Sequence, residues 1–470
     1  MSNIPEFWDE PETGATEVNI ADVDVIEFEP SDWSEPNISK YKGKGLLEDY
    51  MKAMSNMDSP EIFKLLTFFH TLSWTIGRFF KWEHKRLNLM VILSSRPGVT
   101  HRSTLLNIDY EMRKTAYMRY LPLVKKSQKD KNLDRDWDEG NIMSGTPQGI
   151  ADAIPNLDGI GSYKKPYLLS IQDGEFGQTL KSENTKIDFL TLLTRLKDGD
   201  RYRFELTSKD PRVIAQGTYA TLLGSCQEPD MYLNVNHVRQ GLMRRILLCY
   251  VPNERLEYKN RVSFSKFGKS ITKITKDTNK IGERLGDRMV KYKQMYNKNG
   301  LIPIDLSEGA LKILDRVEQQ SFENEKQFHD LISMSSLSDV DHLLMLSSLV
   351  ALCNDSIKNG SLYVLDTDVT FAWDILNELQ EQRSQICWEI GLVDEENKHL
   401  RYSEGVKIYI DNVWSYILRR PQGKLTDIQK QFYLPENDFV DVLKFLKKTT
   451  KLNIDKSADW YKFSDSKRKH

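Results

Sequence analysis

Four short apolar runs, separated by segments long enough to form helices, constrain the fold of this 470-residue chain more than any other feature. They cover residues 87–93, 167–171, 213–223 and 245–251, and each ends in polar, small or proline residues. Apolar runs without alternation are typical of strands buried on both faces, as in a parallel sheet covered by helices. The sequence therefore predicts an α/β fold with a mostly parallel sheet.

Charge is segregated along the chain, although the net charge is only −2. Residues 1–36 hold eleven Asp or Glu and no Lys or Arg, which predicts a disordered acidic arm over residues 1–40. This arm either keeps the protein soluble or docks on a protein partner or a basic surface. Residues 407–470 hold fourteen Lys or Arg against eight Asp or Glu, so phosphate backbones are expected to contact this end.

Cysteine spacing and hydropathy exclude several classes of protein. The four cysteines form no CxxC pair, so we expect neither a zinc finger nor a disulfide framework, and a reducing cytoplasm is the predicted location. No run reaches the roughly 18 apolar residues that a membrane span needs, so no membrane association is expected.

A loop suited to phosphate follows the first apolar run, in the sequence SSRPGVTHRST at residues 94–104. Such a loop needs small residues that let backbone N–H groups turn inward, a cation for the phosphates and a hydroxyl for Mg²⁺. Gly98 supplies the turn, Arg102 the cation, and Ser103 or Thr104 the hydroxyl. The segment therefore predicts ATP and Mg²⁺ as ligands, with Ser103 as a ligand of the metal.

This loop departs from the GxxxxGK[ST] pattern at three positions. Arg96 and His101 stand where glycine is usual, and Arg102 stands where lysine is usual. Arginine keeps the positive charge, but its planar head group forks and is bulkier than an ammonium. The alternative interpretation is an ordinary loop between a strand and a helix.

Two acidic residues follow the second apolar run, at the place of a Walker B motif. Asp173 is predicted to hold Mg²⁺ through water, and Glu175 to orient the attacking water. Gly174 separates the two acids, but residues two apart in a regular strand face the same side, so both carboxylates can reach one site. The alternative is a solvated turn.

Polar residues also flank the third and fourth runs. Ser225 follows the third run and is predicted to lie near the γ-phosphate, as a sensor residue does. Arg244 and Arg245 belong to a basic cluster at the fourth run, and they are predicted to act as arginine fingers on a neighbouring subunit's nucleotide. The alternative for these arginines is a basic surface turn.

Seven segments occur in the order SPEIFKLLTFFHTLSWTIGR, SSRPGVTHRST, GTPQGIADAI, LLSIQDGEFG, LLTRLKDGD, VIAQGTYATLLGSCQEP and GLMRRILLCYVP. This order resembles the primase-associated P-loop ATPases of phages, plasmids and other mobile elements, a branch of the RecA-like and AAA+-like ATPases. Segments between residues 306 and 379 are similar to the helical region that follows the core in that family, so the resemblance covers about 320 residues. It implies a P-loop fold, nucleotide binding, a ring-forming homo-oligomer, and a motor or helicase role in replicating or moving DNA.

Residues 401–470 have the sequence pattern of a winged-helix DNA-binding module. The pattern predicts three helices, over 403–418, 425–432 and 435–449, followed by a hairpin that ends at 460–463.

In this module, residues 437–448 would be the recognition helix. The predicted DNA contacts are Lys444, Lys447 and Lys448 on that helix and Lys462 on the wing. The alternative is a winged helix that contacts protein.

The chain thus divides into five predicted regions: an acidic arm 1–40, a helical segment 41–86, a P-loop ATPase-like core 87–260, a helical region 261–400 and a winged-helix-like module 401–470. Two functions compete. The first is a DNA-associated, Mg²⁺-dependent ATPase or helicase-like motor that is oligomeric. The second is a DNA-binding or scaffold protein with the fold of such an ATPase and a degenerate loop, acting within a larger nucleic-acid complex.

Overall fold

A computed structural model describes residues 45–95, 100–125, 141–142, 168–181, 189–200, 202–205, 211–214, 217–227, 233, 237, 241–251, 264–327, 338–398, 413, 416–417, 420, 422–432, 439, 442–443, 446, 452–455 and 460–463. The predicted acidic arm lies outside the described residues. None of the helices within them is long and apolar enough to span a membrane.

The described chain alternates helices and short strands. The helices are α1 Leu46–Ala53, α2 Glu61–Thr75, α3 Arg102–Lys125, α4 Phe176–Lys181, α5 Phe189–Asp198, α6 Phe264–Asn299, α7 Glu308–Gln327, α8 Asp339–Cys353, α9 Asp366–Lys398 and α10 Leu425–Phe432. The strands are β1 Phe80–Trp82, β2 Lys85–Arg86, β3 Met90–Ser94, β4 Asn141–Ile142, β5 Leu168–Asp173, β6 Tyr202–Glu205, β7 Pro211–Ile214, β8 Tyr219–Cys226, β9 Leu247–Tyr250, β10 Ile302–Leu306, β11 Ile357–Lys358, β12 Ser361–Val364, β13 Gln422–Lys424, β14 Leu452–Asp455 and β15 Trp460–Phe463.

A five-stranded parallel sheet has the strand order β4-β5-β8-β3-β9. Strands β3 and β8 are buried along their whole length. The predicted α/β class and mostly parallel sheet are therefore confirmed. The third apolar run is divided between β7 and β8, because a turn at Gly217, whose φ is +80°, separates them.

Helices cover both faces of this sheet, because alternate residues of each buried strand enter different cores. Val91 and Leu93 join a core that contains α2, α3 and α6. Met90 and Ile92 join a second core on the opposite face, together with Leu192 and other residues of α5. Strand β3 therefore lies inside a three-layer arrangement, with α3 and α5 on opposite faces.

A second, mixed sheet brings residues 80–86 together with the region beyond residue 300. Its strand order is β11-β12-β10-β1-β2, with β1, β10 and β12 mutually parallel. The region predicted as helical, 261–400, is mainly helical, but it also supplies three strands of this sheet. In β10 the buried residues Ile302 and Ile304 alternate with the exposed Pro303 and Asp305, as in a strand with one solvated face.

Helices α3 and α6 cross closely because two glycines of α6 leave room for the backbone of α3. A Cβ built on Gly282 would lie 2.8 Å from the carbonyl oxygen of Met112, and one on Gly286 would lie 2.7 Å from that of Ala116. Any side chain larger than hydrogen would push the helices apart at this crossing.

Helix α9 closes one edge of the parallel sheet. The backbone N–H of Tyr250, in the edge strand β9, donates a hydrogen bond to Oε1 of Gln382 over 2.9 Å. Gln382 is 8% exposed and also bonds Glu378 one turn earlier on the helix. A side chain therefore takes the place that a further strand would occupy.

The C-terminal segment forms a small antiparallel sheet of order β13-β15-β14, and α10 follows directly after β13. Strands β14 and β15 pair as the predicted hairpin, with Ile454 opposite Tyr461. Tyr461 is 1% exposed, and its hydroxyl donates to the carbonyl of Arg420 over 2.9 Å, which anchors the hairpin.

Candidate nucleotide site

The carboxyl ends of three neighbouring strands meet at one edge of the parallel sheet. Ser94 at the end of β3 is in register with Cys226 at the end of β8, and Asp173 at the end of β5 is in register with Gly224. Residues that are distant in sequence therefore lie side by side at the place where open α/β sheets bind ligands.

A cavity of about 360 Å³, here named the carboxyl-edge cavity, opens at this place. This volume falls within the range of small-molecule sites, about 300–1,000 Å³. Its walls include five predicted site residues: Arg102, Ser103, Thr104, Glu175 and Ser225. Gly98, the remaining predicted cofactor residue of the loop, lies outside the described residues.

The wall formed by α3 presents the start of a helix to the cavity. Helix α3 begins at Arg102, and no acidic residue lies in its first turn. The backbone N–H groups of its first turn lack partners within the helix and carry partial positive charge, which suits an anion. The exposed Ser103 and the half-buried Thr104 place hydroxyls beside these N–H groups.

His101 stands where the phosphate-loop pattern has its second glycine, and it has a φ of 52°. This left-handed conformation favours glycine, and a residue with a Cβ adopts it at a cost of about 1 kcal/mol or more. The backbone at this position therefore has the conformation that glycine adopts freely, although the residue is histidine.

Hydrogen bonds fix the loop at both of its described ends. The Ser95 and Thr100 hydroxyls are 2.5 Å apart, and the Ser59 hydroxyl donates to the carbonyl of Thr100 over 2.8 Å. Pro60 occupies the N-cap position of α2, and no side chain caps that helix. The Ser59 hydroxyl binds the loop instead.

The two acids after β5 differ in position. Asp173 is 3% exposed, and its carboxylate accepts hydrogen bonds from the backbone N–H of Glu175 over 2.9 Å and the hydroxyl of Thr179 over 2.7 Å. Burial raises the pKa of Asp173, and these two bonds oppose that rise. Glu175 is exposed, lines the cavity, and accepts a bond from Gln178.

We expected Asp173 and Glu175 to face the same side of one regular strand, and the structure differs from this expectation. Strand β5 ends at Asp173, and residues 174–175 form a turn that the Asp173 carboxylate itself stabilises. Glu175 is therefore the acid that lines the cavity, and Asp173 lies behind it as the residue that holds the turn.

Strand β8 supplies the cavity wall between α3 and the turn that follows β5. Ser225 is 2% exposed, and its hydroxyl donates to the carbonyl of Gly174 over 2.6 Å, which ties β8 to the acidic turn. Its neighbour Cys226 also lines the cavity, and burial raises the pKa of that thiol to about 11. The thiol is therefore protonated at neutral pH and is no strong nucleophile.

A buried charged network lies directly beneath the site. Asp109, on α3, is fully buried and contacts His70 over 2.9 Å, Thr71 over 2.6 Å, Arg113 over 2.8 Å and Gln172 over 2.6 Å. Burial alone would raise the pKa of Asp109, but Arg113, His70 and the hydrogen bonds hold it far below its ordinary value. The network joins α2, α3 and the residue that precedes Asp173.

Gln178, Cys226, Thr179 and the Asp109 network were missed in the sequence analysis. Only the spacing of Asp109 and Arg113, four residues apart on one helix face, gives a local signal for an ion pair. Thr179 and Gln172 act through contacts that no periodicity predicts.

The structure does not bring the predicted arginine fingers to the cavity of their own chain. Arg244 and Arg245 precede β9 and so lie at the amino edge of the parallel sheet, opposite to the carboxyl-edge cavity. Arg245 forms an ion pair with Asp198 over 3.0 Å. A role on a neighbouring subunit stays a prediction.

Of the predicted DNA-binding lysines, Lys462 lies within the described residues. It is exposed on β15, in register with Gln422 and Asn453. Lys444, Lys447 and Lys448 lie outside the described residues.

No protein-family model matches the chain, and no curated protein does either. The interpretation of the carboxyl-edge cavity therefore rests on its geometry and chemistry.

Proposed function

We propose that the protein is a Mg²⁺-dependent ATPase that binds a nucleoside triphosphate at the carboxyl-edge cavity and acts on DNA as an oligomer. The observation that supports this proposal is the convergence of three sequence-distant clusters, represented by Arg102, Glu175 and Ser225, on one cavity at the ends of adjacent parallel strands.

The donor set of the cavity fits a triphosphate with Mg²⁺. The first-turn N–H groups of α3 and the Arg102 guanidinium are suited to phosphate oxygens. Within the described residues, no group of three or more His, Cys, Asp or Glu side chains could hold a metal ion by itself. Mg²⁺ is commonly held by one or two protein oxygens together with substrate phosphates, and Ser103 with the Asp173–Glu175 turn can provide the protein's share.

Glu175 is the residue proposed to orient the attacking water, because its carboxylate lines the cavity. Asp173 would reach Mg²⁺ only through water, since both of its oxygens already accept protein hydrogen bonds. Each carboxylate oxygen retains a second lone pair for such a water. Mg²⁺, when bound, would neutralise charge on the phosphates as the terminal phosphate departs.

The test compares nucleotide binding and hydrolysis in three variants of the full chain. Arg102→Ala should weaken MgATP binding by about tenfold or more, because it removes a charged hydrogen bond. Glu175→Gln should retain binding and lose turnover. Arg119→Ala is the matched control, since this exposed arginine of the same helix pairs with Asp287, away from the cavity.

A second candidate is a scaffold with the same fold that binds no nucleotide. The observation that favours it is the left-handed backbone of His101, where a side chain occupies a position suited to glycine. Absence of ATP binding by the unmodified protein, at concentrations up to the millimolar range, would support the scaffold and reject the ATPase.

Contact with DNA is proposed for the C-terminal module, which would be a winged helix. The excess of positive charge over residues 407–470 and the exposed Lys462 on β15 support this role. Lys462→Ala should reduce the slope of log affinity against log salt by about 1, as the loss of one phosphate contact predicts. Lys298→Ala, which changes a lysine in the last turn of α6, is the control.

Action of Arg245 on a neighbouring subunit has a specific test. Subunits carrying Arg102→Ala and subunits carrying Arg245→Ala should each lack activity when assembled alone. Mixed assemblies should regain part of it, because an intact Arg245 then faces an intact nucleotide site. Mixing without recovery would place the arginine's role within its own chain.

A further inference from the structure

A second cavity, here named the amino-edge cavity, lies at the opposite end of the parallel sheet and has a volume of about 730 Å³. Its walls come from the residues that precede β3, β8 and β9, together with β1, the end of α5 and the start of α8. None of these walls belongs to the carboxyl-edge cavity of the same chain.

Positive charge exceeds negative charge in this lining. The basic members are Lys81, Lys85, Arg86, Lys197, Arg244 and Arg245, and the acidic members are Glu83, Asp198, Asp200 and Asp341.

Three of the four acids already have basic partners. Asp341 pairs with Lys85, and Asp198 pairs with Arg245. Asp200 pairs with Arg195, which is not part of the lining. The acids therefore leave several cations of the cavity without a matching negative charge.

Lys197 is the central cation of this set. Its ammonium donates to the carbonyl of Asn88 over 2.6 Å and lies 3.6 Å from the sulfur of Met345, and it forms no ion pair within the described residues. Burial lowers the pKa of Lys197 to about 8. The Lys197 side chain is half-buried, and the nearby Asp198 and Asp341 oppose the lowering of its pKa without forming an ion pair with it. A partly buried ammonium without an ion-pair partner is stabilised further when an anion binds beside it.

His342 provides an independent indication of a ligand. His342 is 2% exposed and lines the cavity, and neither ring nitrogen meets the geometry of a hydrogen bond to a described residue, although the backbone of Arg245 lies close to the ring. Burial, with the nearby Lys197 and Arg383 cations, holds the pKa of His342 well below its ordinary value. The ring is therefore neutral at neutral pH, so one nitrogen can donate to a ligand and the other can accept.

Trp82 completes the chemistry of the site. It lines the cavity and is half-buried, so part of its ring is accessible. An aromatic ring beside cations is the combination that binds nucleotides, since the base stacks on the ring while phosphate meets the cations.

We propose that the amino-edge cavity binds a nucleotide unit, with its phosphate beside Lys197 and His342 and its base against Trp82. The nucleotide unit has two possible sources, a free mononucleotide or one unit of a single-stranded nucleic acid. This site is separate from the carboxyl-edge cavity and does not require that cavity to hydrolyse ATP.

The test measures binding of three probes: thymidine monophosphate, a fluorescent oligothymidylate of six units, and inorganic pyrophosphate. All measurements use the full chain carrying Arg102→Ala, so that the carboxyl-edge cavity contributes little. Lys197→Met should weaken binding of the preferred nucleotide probe by about tenfold or more, because a charged hydrogen bond to phosphate is lost. Trp82→Leu should weaken the nucleotide probes and leave pyrophosphate binding unchanged.

The matched control is Lys312→Met, at an exposed lysine of α7 that pairs with Glu308 outside the cavity. Lys81→Gln is a second test variant at the rim, which keeps the proposal testable if Lys197→Met does not fold. Its affinity loss should be about two- to fivefold, since a partly solvated charge contributes less than a charged hydrogen bond to phosphate.

A labelling experiment gives a readout that does not depend on these variants. A bound phosphate favours the charged form of Lys197 and raises its pKa above about 8, so acylation of Lys197 at pH 8.5 should slow when the probe is added. Tighter binding of the oligothymidylate than of thymidine monophosphate identifies a nucleic-acid strand as the ligand. Equal affinity per site for the two probes identifies a free nucleotide. Equal binding by Lys197→Met, Lys81→Gln and the control, or unchanged acylation, would overturn the proposal.

Discussion

Replacing Asp109 by Asn should destabilise the protein more than replacing any of its partners. The carboxylate has four buried contacts, to His70, Thr71, Arg113 and Gln172, and the Arg113 guanidinium is itself fully buried. The amide keeps the shape of the side chain but removes its negative charge. Arg113 is then left as a buried cation, and breaking a buried pair in this way costs about 3–5 kcal/mol.

The double variant Asp109→Leu, Arg113→Met provides the internal control. It removes both charges together, and it leaves Thr71 bonded to the carbonyl of Thr67 and Gln172 bonded to that of Leu106. Its free energy of unfolding should therefore be higher than that of Asp109→Asn by about 1 kcal/mol or more, as expected when a buried pair is replaced by apolar side chains.

Urea denaturation followed by circular dichroism measures these free energies, and hydrogen exchange of α2 and α3 locates the effect. The wild-type contribution of Asp109 should persist down to about pH 4 and then decline, because a carboxyl with a depressed folded-state pKa loses its stabilising effect as the pH falls through that pKa. A loss below about 1 kcal/mol for Asp109→Asn, or additive losses in the double variant, would refute this account of the network.

Three further predictions concern backbone and charge. Gly286→Ala should cost about 1–3 kcal/mol in urea denaturation, because its Cβ would lie 2.6 Å from that of Arg119, and a gain in stability would disprove the close crossing. Asp368→Asn should raise the melting temperature at pH 7.5, and it should raise it less at pH 5. Burial raises the pKa of Asp368 to about 6, so ionisation of this carboxyl opposes folding above that pH. The exposed Asp374→Asn is the control. His101→Gly should strengthen MgATP binding in a titration, since glycine adopts the left-handed backbone without strain, and weaker binding would contradict the proposed loop.

The buried strands could be predicted because each is a continuous apolar run. The second sheet could not be predicted in this way, since its strands have two to five residues and a single solvated face. In β10 the alternation of Ile302 and Ile304 with Pro303 was the available signal, and proline in a strand weakens it.

The sequence pattern predicted which residues come together at the candidate site, but it predicted their positions less well. Arg102, Glu175 and Ser225 line one cavity because parallel strands end at a common edge. The burial of Asp173 depends on where β5 ends, and a sequence pattern does not determine the last residue of a strand. The contact between Asp109 and Gln172 joins residues 63 apart, so it depends on the packing of α3 against the sheet.

The bond from Tyr250 to Gln382 has a consequence for assembly. An uncovered edge strand presents unpaired N–H and C=O groups that recruit strands from other chains. Here one such N–H is occupied by an amide side chain that belongs to a 33-residue helix. Copies of this protein that associate along β9 must therefore meet the outer surface of that helix, so strand addition at this margin would first require α9 to detach.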